Sequence, residues 1–310
     1  LPRAAEAGVS ETAYRRATSG IVARDEIQAQ ILAEVVDKPS EQRRAAEIAL
    51  EDNGGTQPAA GSVLVKHLLF SPKDDPGGAS ALAPDDPAWA AAEEQAKQAY
   101  EELSAGTARF VDLAPGSDDA TSAAQNGFLP YFAPDDPTAT LDPAFAAAIF
   151  APGLQPGQLL APVKSGFGWH VIEFVTSETP AARAERLIAE ASKSGADFAR
   201  LAAENSIASS AVDGGDLGWV ARYQLPTATE NVIFATQANA ISGTVEGTDQ
   251  STGSSTGLTF YKVLEIATRA PDEQQAQDLR DNAFSNWYVG IKDDPAQTTI
   301  ERLLDLTTTG

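Results

Sequence analysis

The chain has 310 residues, 43% of them hydrophobic, with 22 basic against 44 acidic side chains and a net charge of −22. That length accommodates two or three domains with cores of their own, and no run reaches the roughly 18 uncharged apolar residues of a membrane span. The negative balance repels phosphate backbones and anionic lipid surfaces, so nucleic acid is excluded as an expected partner.

Cysteine is absent, which removes disulfides, thiolate nucleophiles and cysteine zinc sites together. Methionine is absent too, and a start at Leu1-Pro2-Arg3 without a charged-then-apolar leader reads as a processed or truncated piece whose targeting segment has been removed. Residues 10–50 place Ile21, Ile27, Ile31, Val35 and Val36 at three- to four-residue steps among charges, which predicts one or two amphipathic helices broken at Pro39. Asn53 to Pro58 reads as a linker and sets a boundary near residue 60.

Val63 to Phe70 predicts a strand carrying His67. After a loop punctuated by Asp74-Asp75-Pro76-Gly77-Gly78 and Pro84-Asp85-Asp86-Pro87, a helix is expected from near Trp89 through Glu93 and Tyr100 to about Gly106. Phe110 to Leu113, a polar turn from Ser117 to Gln125 and an apolar stretch from Gly127 to Phe132 follow. A short helix over Asp142 to Phe150 precedes a second strand, in Gly166-Phe167-Gly168-Trp169-His170-Val171, which carries the chain's other histidine. Taken alone, each histidine reads as an imidazole satisfied in a core or on the surface.

The chain then partly repeats itself. Phe110-Val111-Asp112-Leu113-Ala114 matches Phe198-Ala199-Arg200-Leu201-Ala202, and the step to the next shared leucine, Leu129 or Leu217, is the same in both. Leu141 to Phe150 is likewise spaced as Leu225 to Phe234. Two copies of one module follow from two preserved spacings. Beyond them, Ser251 to Gly257 predicts a flexible hairpin tip. Leu279, Ala283, Phe284 and Trp287 form one face of a helix that would pack on the N-terminal helices, a client-binding groove being the other use of that face. Four Asp-Asp-Pro strings, from Asp74, Asp85, Asp135 and Asp293, fit turn or helix starts better than calcium, since they lack an alternating ligand loop.

The string from Asp197-Phe198-Ala199-Arg200-Leu201-Ala202 through Asn205-Ser206 into Gly214-Gly215-Asp216-Leu217-Gly218-Trp219 resembles the hallmark of the parvulin, or rotamase, family of peptidyl-prolyl isomerases. The first copy adds that family's two histidine strands, and the resemblance covers residues 63 to about 267. The flanking helices resemble the chaperone portions of SurA-like and PrsA-like extracytoplasmic foldases. The resemblance implies an α+β chain of two parvulin modules, each a small antiparallel sheet with helices around it, flanked by N- and C-terminal helices that pack together. The expected division is a helical segment and linker over 1–60, a catalytic module over 61–177, a degenerate module over 178–268 and a helical segment over 269–310.

Carried over by position, the resemblance makes His67 and His170 a buried pair behind the active site, puts Asp119 before the imide bond, and places Ser165 as the hydroxyl residue in the turn before His170. Leu129, Phe132, Leu141 and Phe145 would line the proline pocket, ordinary core being the other reading of those four. The pattern is broken in the first copy, where Phe128 replaces the usual aspartate and Pro130 the second glycine. In the second copy Thr229 stands where Phe145 would be, Phe260-Tyr261-Lys262-Val263 holds no histidine, and the opening strand is missing unless the strand of His170 serves it. Which module owns that strand is open at this level.

The implied function is isomerisation of X-Pro bonds and folding assistance for unfolded or extended proline-containing clients outside the cytoplasm, with no metal, no cofactor and no transmembrane segment in this chain. Lys73 stands alone among Asp74, Asp75, Asp85 and Asp86 in the loop where phospho-specific relatives cluster bases, so phosphopeptide recognition is not expected. The alternatives are a non-catalytic holdase and an assembly scaffold built from the same folds.

Overall fold

Aspartate immediately before proline opens helices in this chain. Asp86 accepts a hydrogen bond from Ala88 N and Asp142 from Ala144 N, each beside a proline at the first helical position, where a missing N–H costs nothing. A computed structural model of the chain describes residues 11–51, 58–134, 141–248 and 255–292. The Asp135 and Asp293 strings, most of the linker from Asn53 and most of the Ser251–Gly257 stretch lie outside the described residues.

The helices are α1 (Glu11–Val35), α2 (Pro87–Ala105), α3 (Phe110–Leu113), α4 (Ala120–Ala123), α5 (Pro143–Ile149), α6 (Pro180–Ala191), α7 (Phe198–Asn205), α8 (Thr227–Ala235) and α9 (Glu273–Lys292), beside one further single turn of helix at Pro76–Ala79 and short turns. The strands are β1 (Ser40–Leu50), β2 (Leu64–Phe70), β3 (Gln158–Lys164), β4 (Trp169–Thr176), β5 (Asp216–Val220), β6 (Val245–Thr248) and β7 (Ser255–Arg269). They fall into two compact units, one of Leu1–Ala45, Gly218–Ala240 and Val263–Gly310, the other of Ala46–Leu217 and Ile241–Lys262. This is the expected α+β composition of small antiparallel sheets and surrounding helices.

In the first unit, Ile31 and Val35 of α1 pack with Leu279 and Ala283 of α9, and Trp287 packs against the same cluster. The terminal helices do pack together, through the face read from the sequence. Phe284 takes the Arg24 guanidinium over its ring at 5.3 Å.

In the second unit, β2, β4 and β3 form an antiparallel sheet in that order, and residues 128–132 bridge the free side of β2 through Val63–Phe132 and Lys66–Phe128. One face carries Val63, Val65, Ile172 and Phe174 under α5; the other carries Leu68 and Val171 under α2 and Phe110. The His170 strand thus belongs to the first copy. The other sheet has the order β5-β1-β7-β6, the same arrangement with β1 in the place of β2. His67 N donates to Gly127 O, and Glu47 N donates to Gly215 O, both at 2.8 Å. The opening strand absent from the second copy is therefore β1, supplied from ahead of the first copy.

The helical reading of residues 40–50 is accordingly corrected: they form a strand. Arg, Ala and Glu favour a helix in isolation, but that preference is a fraction of a kcal/mol per residue, and sheet pairing outweighs it. Ile48 and Leu50 are fully buried, on one face of the strand.

The two copies are packed on each other within this unit. Leu64, Phe128, Tyr131 and Val175 share a cluster with Ile207, and Val111 meets Ala203 and Ala211. Asn126 donates through Nδ2 to Ser206 O and Ala208 O, both at 2.9 Å. The buried Lys66 ammonium meets Glu173 at 2.8 Å and Glu204 O at 3.1 Å.

Gly215 has φ +80, and a Cβ there would stand 2.2 Å from Glu47 O. A left-handed residue with a side chain costs about 1–2 kcal/mol before any clash. Gly215→Ala is therefore expected to lower unfolding free energy in urea by clearly more than Gly153→Ala, whose Cβ would meet nothing within 4 Å. Equal losses from the two would show that β1 does not lie against Gly215.

Candidate functional site

His67 pairs across the sheet with Ile172 and Leu69 with His170, so the two histidines are diagonal neighbours on one face. Their rings lie 5.3 Å apart and nearly parallel, at 20°, with Nδ1 to Nδ1 at 3.0 Å, and both residues are buried. Outward from the pair, His67 Nε2 lies 2.8 Å from Asp119 Oδ2 and 2.9 Å from Ser122 Oγ, while His170 Nε2 lies 2.7 Å from Ser165 Oγ.

One run of protons accounts for the line of contacts from Ser165 through the two rings to Asp119. Asp119 is held well below the usual carboxylate range by its hydrogen bond from His67 and further by Ser122, so it accepts. His67 Nε2–H then donates to Asp119 Oδ2, leaving His67 Nδ1 as acceptor. His170 Nδ1–H donates to it, and Ser165 Oγ–H donates to His170 Nε2. The remaining contacts anchor the ends: Asp119 Oδ1 accepts from Thr121 N as the cap of α4, and Ser165 Oγ accepts from Phe167 N in the β3–β4 turn.

Against this pair lies an open cup of about 150 Å³ lined by His67, Leu129, Phe132, Leu141, Asp142, Phe145, Phe167 and His170. Phe145 stands edge-on to His67 at 6.0 Å and to Phe132 at 6.2 Å, and its centroid is 5.0 Å from that of His170. All eight residues singled out in the sequence converge here: His67, Asp119, Ser165 and His170 in the polar chain, Leu129, Phe132, Leu141 and Phe145 in the cup wall. Phe145 serves as core as well, packing with Val65 and Ile149.

Phe128 and Pro130 do not reach the cup. Phe128 is buried on the opposite side with Leu64, Tyr131 and Val175, under the Arg183 guanidinium at 5.2 Å, and Pro130 is exposed. Three participants escaped the sequence reading. Ser122 was detectable from the repeat, because Ser210 stands at the same place in the second copy and donates to Glu47 at 2.8 Å. Phe167, half exposed at the tip of the turn, and Asp142 carried no such signal.

The second copy keeps the scaffold and changes its contents. Glu47 stands where His67 does, by the shared hydrogen bond to a glycine carbonyl. Val163 pairs with His170 and Val245 with Thr259, so Thr259 takes the place of His170. Burial raises the Glu47 carboxyl above its ordinary range.

The family model for the Rotamase PPIC-type PPIASE domain matches residues 67–177 and again 175–253. The chain belongs to the PPIC-type rotamase family. Among curated relatives of this chain, the chaperone SurA of Methylobacillus flagellatus is 29% identical over 234 residues, covering 64% of the chain and 50% of that protein. The chaperone SurA of Nitrosospira multiformis is 26% identical over 312 residues, covering 87% and 66%, and that of Yersinia pestis 35% over 129 residues, covering 40% and 26%. The chain spans about half the length of the curated relatives it matches. Solved structures with local similarity include PrsA from Bacillus subtilis, at 24% identity and TM-score 0.28 over 37% of this chain and 35% of that one. Another is the peptidyl-prolyl isomerase ESS1 from Candida albicans, at 23% identity and TM-score 0.31 over 40% and 70%.

Burial, and after it the neighbouring His67, pulls His170 down from 6.5 to about 3. Folded His170 is then neutral where the unfolded imidazole takes up a proton, so stability is complete above about pH 6.5 and falls as pH drops towards 3. The limiting slope is about 1.4 kcal/mol per pH unit for one proton. Asp119, lowered from 3.8, adds to the loss only below that value. Urea unfolding from pH 7 to pH 4.5 is expected to give a shallower decline for His170→Gln than for the wild type; parallel declines would mean that His170 is not the group responsible.

Proposed function

We propose that the first module, residues 61–177, is a peptidyl-prolyl cis-trans isomerase acting on X-Pro bonds of unfolded polypeptides, within a chain that assists folding outside the cytoplasm. The second module, residues 178–268 completed by β1, is structural or peptide-binding. The observation that carries this is the buried His67–His170 pair with an apolar cup open in front of it. Among the described residues no helix is long and apolar enough to cross a membrane.

The chemistry asks for little else. Amide resonance sets a barrier of about 18–20 kcal/mol to rotation, and the twisted amide at its top has lost conjugation between nitrogen and carbonyl. A catalyst must favour that twisted form over both planar ones. Leu129, Phe132, Leu141 and Phe145 supply a dry seat for the pyrrolidine ring, which excludes water that would stabilise the planar, more polar amide. Fixed dipoles beside it need no reorganisation as the bond turns. His67 and His170 hold Asp119 in one orientation and act as positioning residues; no proton leaves or joins the substrate, so no general base is assigned.

The second copy supports a division of labour. Glu47 and Thr259 in the two histidine positions remove the imidazole pair, and in the sequence Thr229 stands at the repeat position that Phe145 holds in the first copy.

The test is isomerisation of a short Ala-Pro peptide followed by exchange NMR. Wild type is expected to accelerate exchange, with Phe145→Ala reducing it at least tenfold through lost seating and Asp119→Ala reducing it while leaving the fold intact by circular dichroism. Exchange identical with and without protein would leave the holdase reading, which suppression of client aggregation by the same variants would then measure.

A further inference from the structure

Asp142 lines the cup and also ties its two walls together. Its Oδ1 accepts from Ala144 N at 2.8 Å and Phe145 N at 3.4 Å, at the start of α5, while Oδ2 accepts from Gly166 N at 3.0 Å in the β3–β4 turn that carries Ser165 and Phe167. The side chain is only partly buried, and a carboxylate oxygen has a second lone pair, so Oδ2 keeps an open acceptor site after bonding Gly166.

Apart from His67, whose Nε2 is bonded to Asp119, the other groups around the cup bring no charge against Asp142. Leu129, Phe132, Leu141, Phe145 and Phe167 are apolar, and His170 is neutral at pH 7 because burial disfavours its charged form. Asp119, behind His67, is also ionised, but its oxygens are occupied by His67 and the cap of α4. Two lysines of this copy are engaged elsewhere: the Lys164 ammonium lies 4.2 Å from the Trp89 ring centroid and 5.9 Å from that of Trp169, and Lys73 pairs with Asp86 at 3.4 Å. The field of a chain with net charge −22 draws basic segments towards the surface in the first place.

We propose that Asp142 is a specificity-determining residue of the first module, selecting X-Pro segments with a lysine or arginine adjoining the proline. This rests on the isomerase reading for the site and goes beyond it in naming the substrate class. A cation beside the seated proline meets an ionised carboxylate at a half-desolvated rim, where the attraction exceeds that of two ions in water. An acidic residue at the same place meets repulsion.

The experiment compares peptides of one length with Lys, Ala or Glu adjoining a single proline, before it or after it, on the full chain. Exchange NMR gives the isomerisation rate, and chemical-shift titration of the same peptides gives affinity. The expected order of kcat/KM is Lys over Ala over Glu, with Lys over Glu by about tenfold, shrinking as salt rises from 0.05 to 0.5 M because screening shortens the reach of the charge. Asp142→Asn retains an acceptor for the helix start but loses the one for Gly166 N, so its readout is the ratio between peptides within the variant rather than its rate on the Ala peptide, and that Lys-over-Glu ratio is expected to vanish. A ratio near one in the wild type, or a ratio unchanged in Asp142→Asn, overturns the proposal. If no peptide is isomerised, the isomerase reading fails on the Ala peptide alone, and the affinities still decide the charge preference by the same ratio.

Discussion

One hydrogen bond, between Nδ1 of His67 and Nδ1 of His170, organises the site. Two nitrogens of the same kind can bond only if one carries the proton and the other a lone pair, so the contact assigns complementary tautomers to both rings at once. Each outer nitrogen then has a fixed role, donor towards Asp119 on one side and acceptor from Ser165 on the other. Those two residues in turn hold the start of α4 and the β3–β4 turn. Loss of either imidazole would strand a buried polar atom, at a cost of about 1–3 kcal/mol, and release both flanking segments.

Much of this was legible in the sequence, for reasons that differ by residue. The histidine strands were readable because their apolar neighbours mark them as buried, and an imidazole inside an apolar run has to be satisfied by something. The cup wall, Leu129, Phe132, Leu141 and Phe145, was readable only through the resemblance to the parvulin family, since apolar residues at such spacings read equally well as ordinary core. β1 was not, because Arg, Ala and Glu carry a helical preference and its partners lie far along the chain, where no local window sees them. Asp142 was legible only as the start of a helix: that role is a local signal, while its bond to Gly166 depends on where a distant turn arrives.

The two copies separate what the scaffold needs from what the chemistry needs. Both retain the left-handed pair at the entry to the edge strand, Asn126-Gly127 at φ 56 and 86 and Gly214-Gly215 at φ 69 and 80, and both retain a serine beneath the opening strand. Asn126 tolerates the left-handed conformation and uses its amide to dock the neighbouring copy, which explains how the first copy dispenses with one glycine of the motif. What differs is the occupant of two positions, His67 against Glu47 and His170 against Thr259. A fold therefore persists where the imidazole pair has gone, as expected when sites are grafted on frameworks.

The order of the chain within the second sheet bears on how the molecule is made. β1 is synthesised before the whole first copy, yet the residues that complete its sheet come after it; Glu47 meets Ser210 across 163 residues. Closing so long a loop costs little more than closing a shorter one if what lies between is already compact. On a ribosome, where the N-terminal part of a chain emerges first, the first copy can reach its final form as a finished insert, bringing the two ends of the interrupted sheet close together. The module with the histidine pair would then act as the template on which its altered sister is assembled.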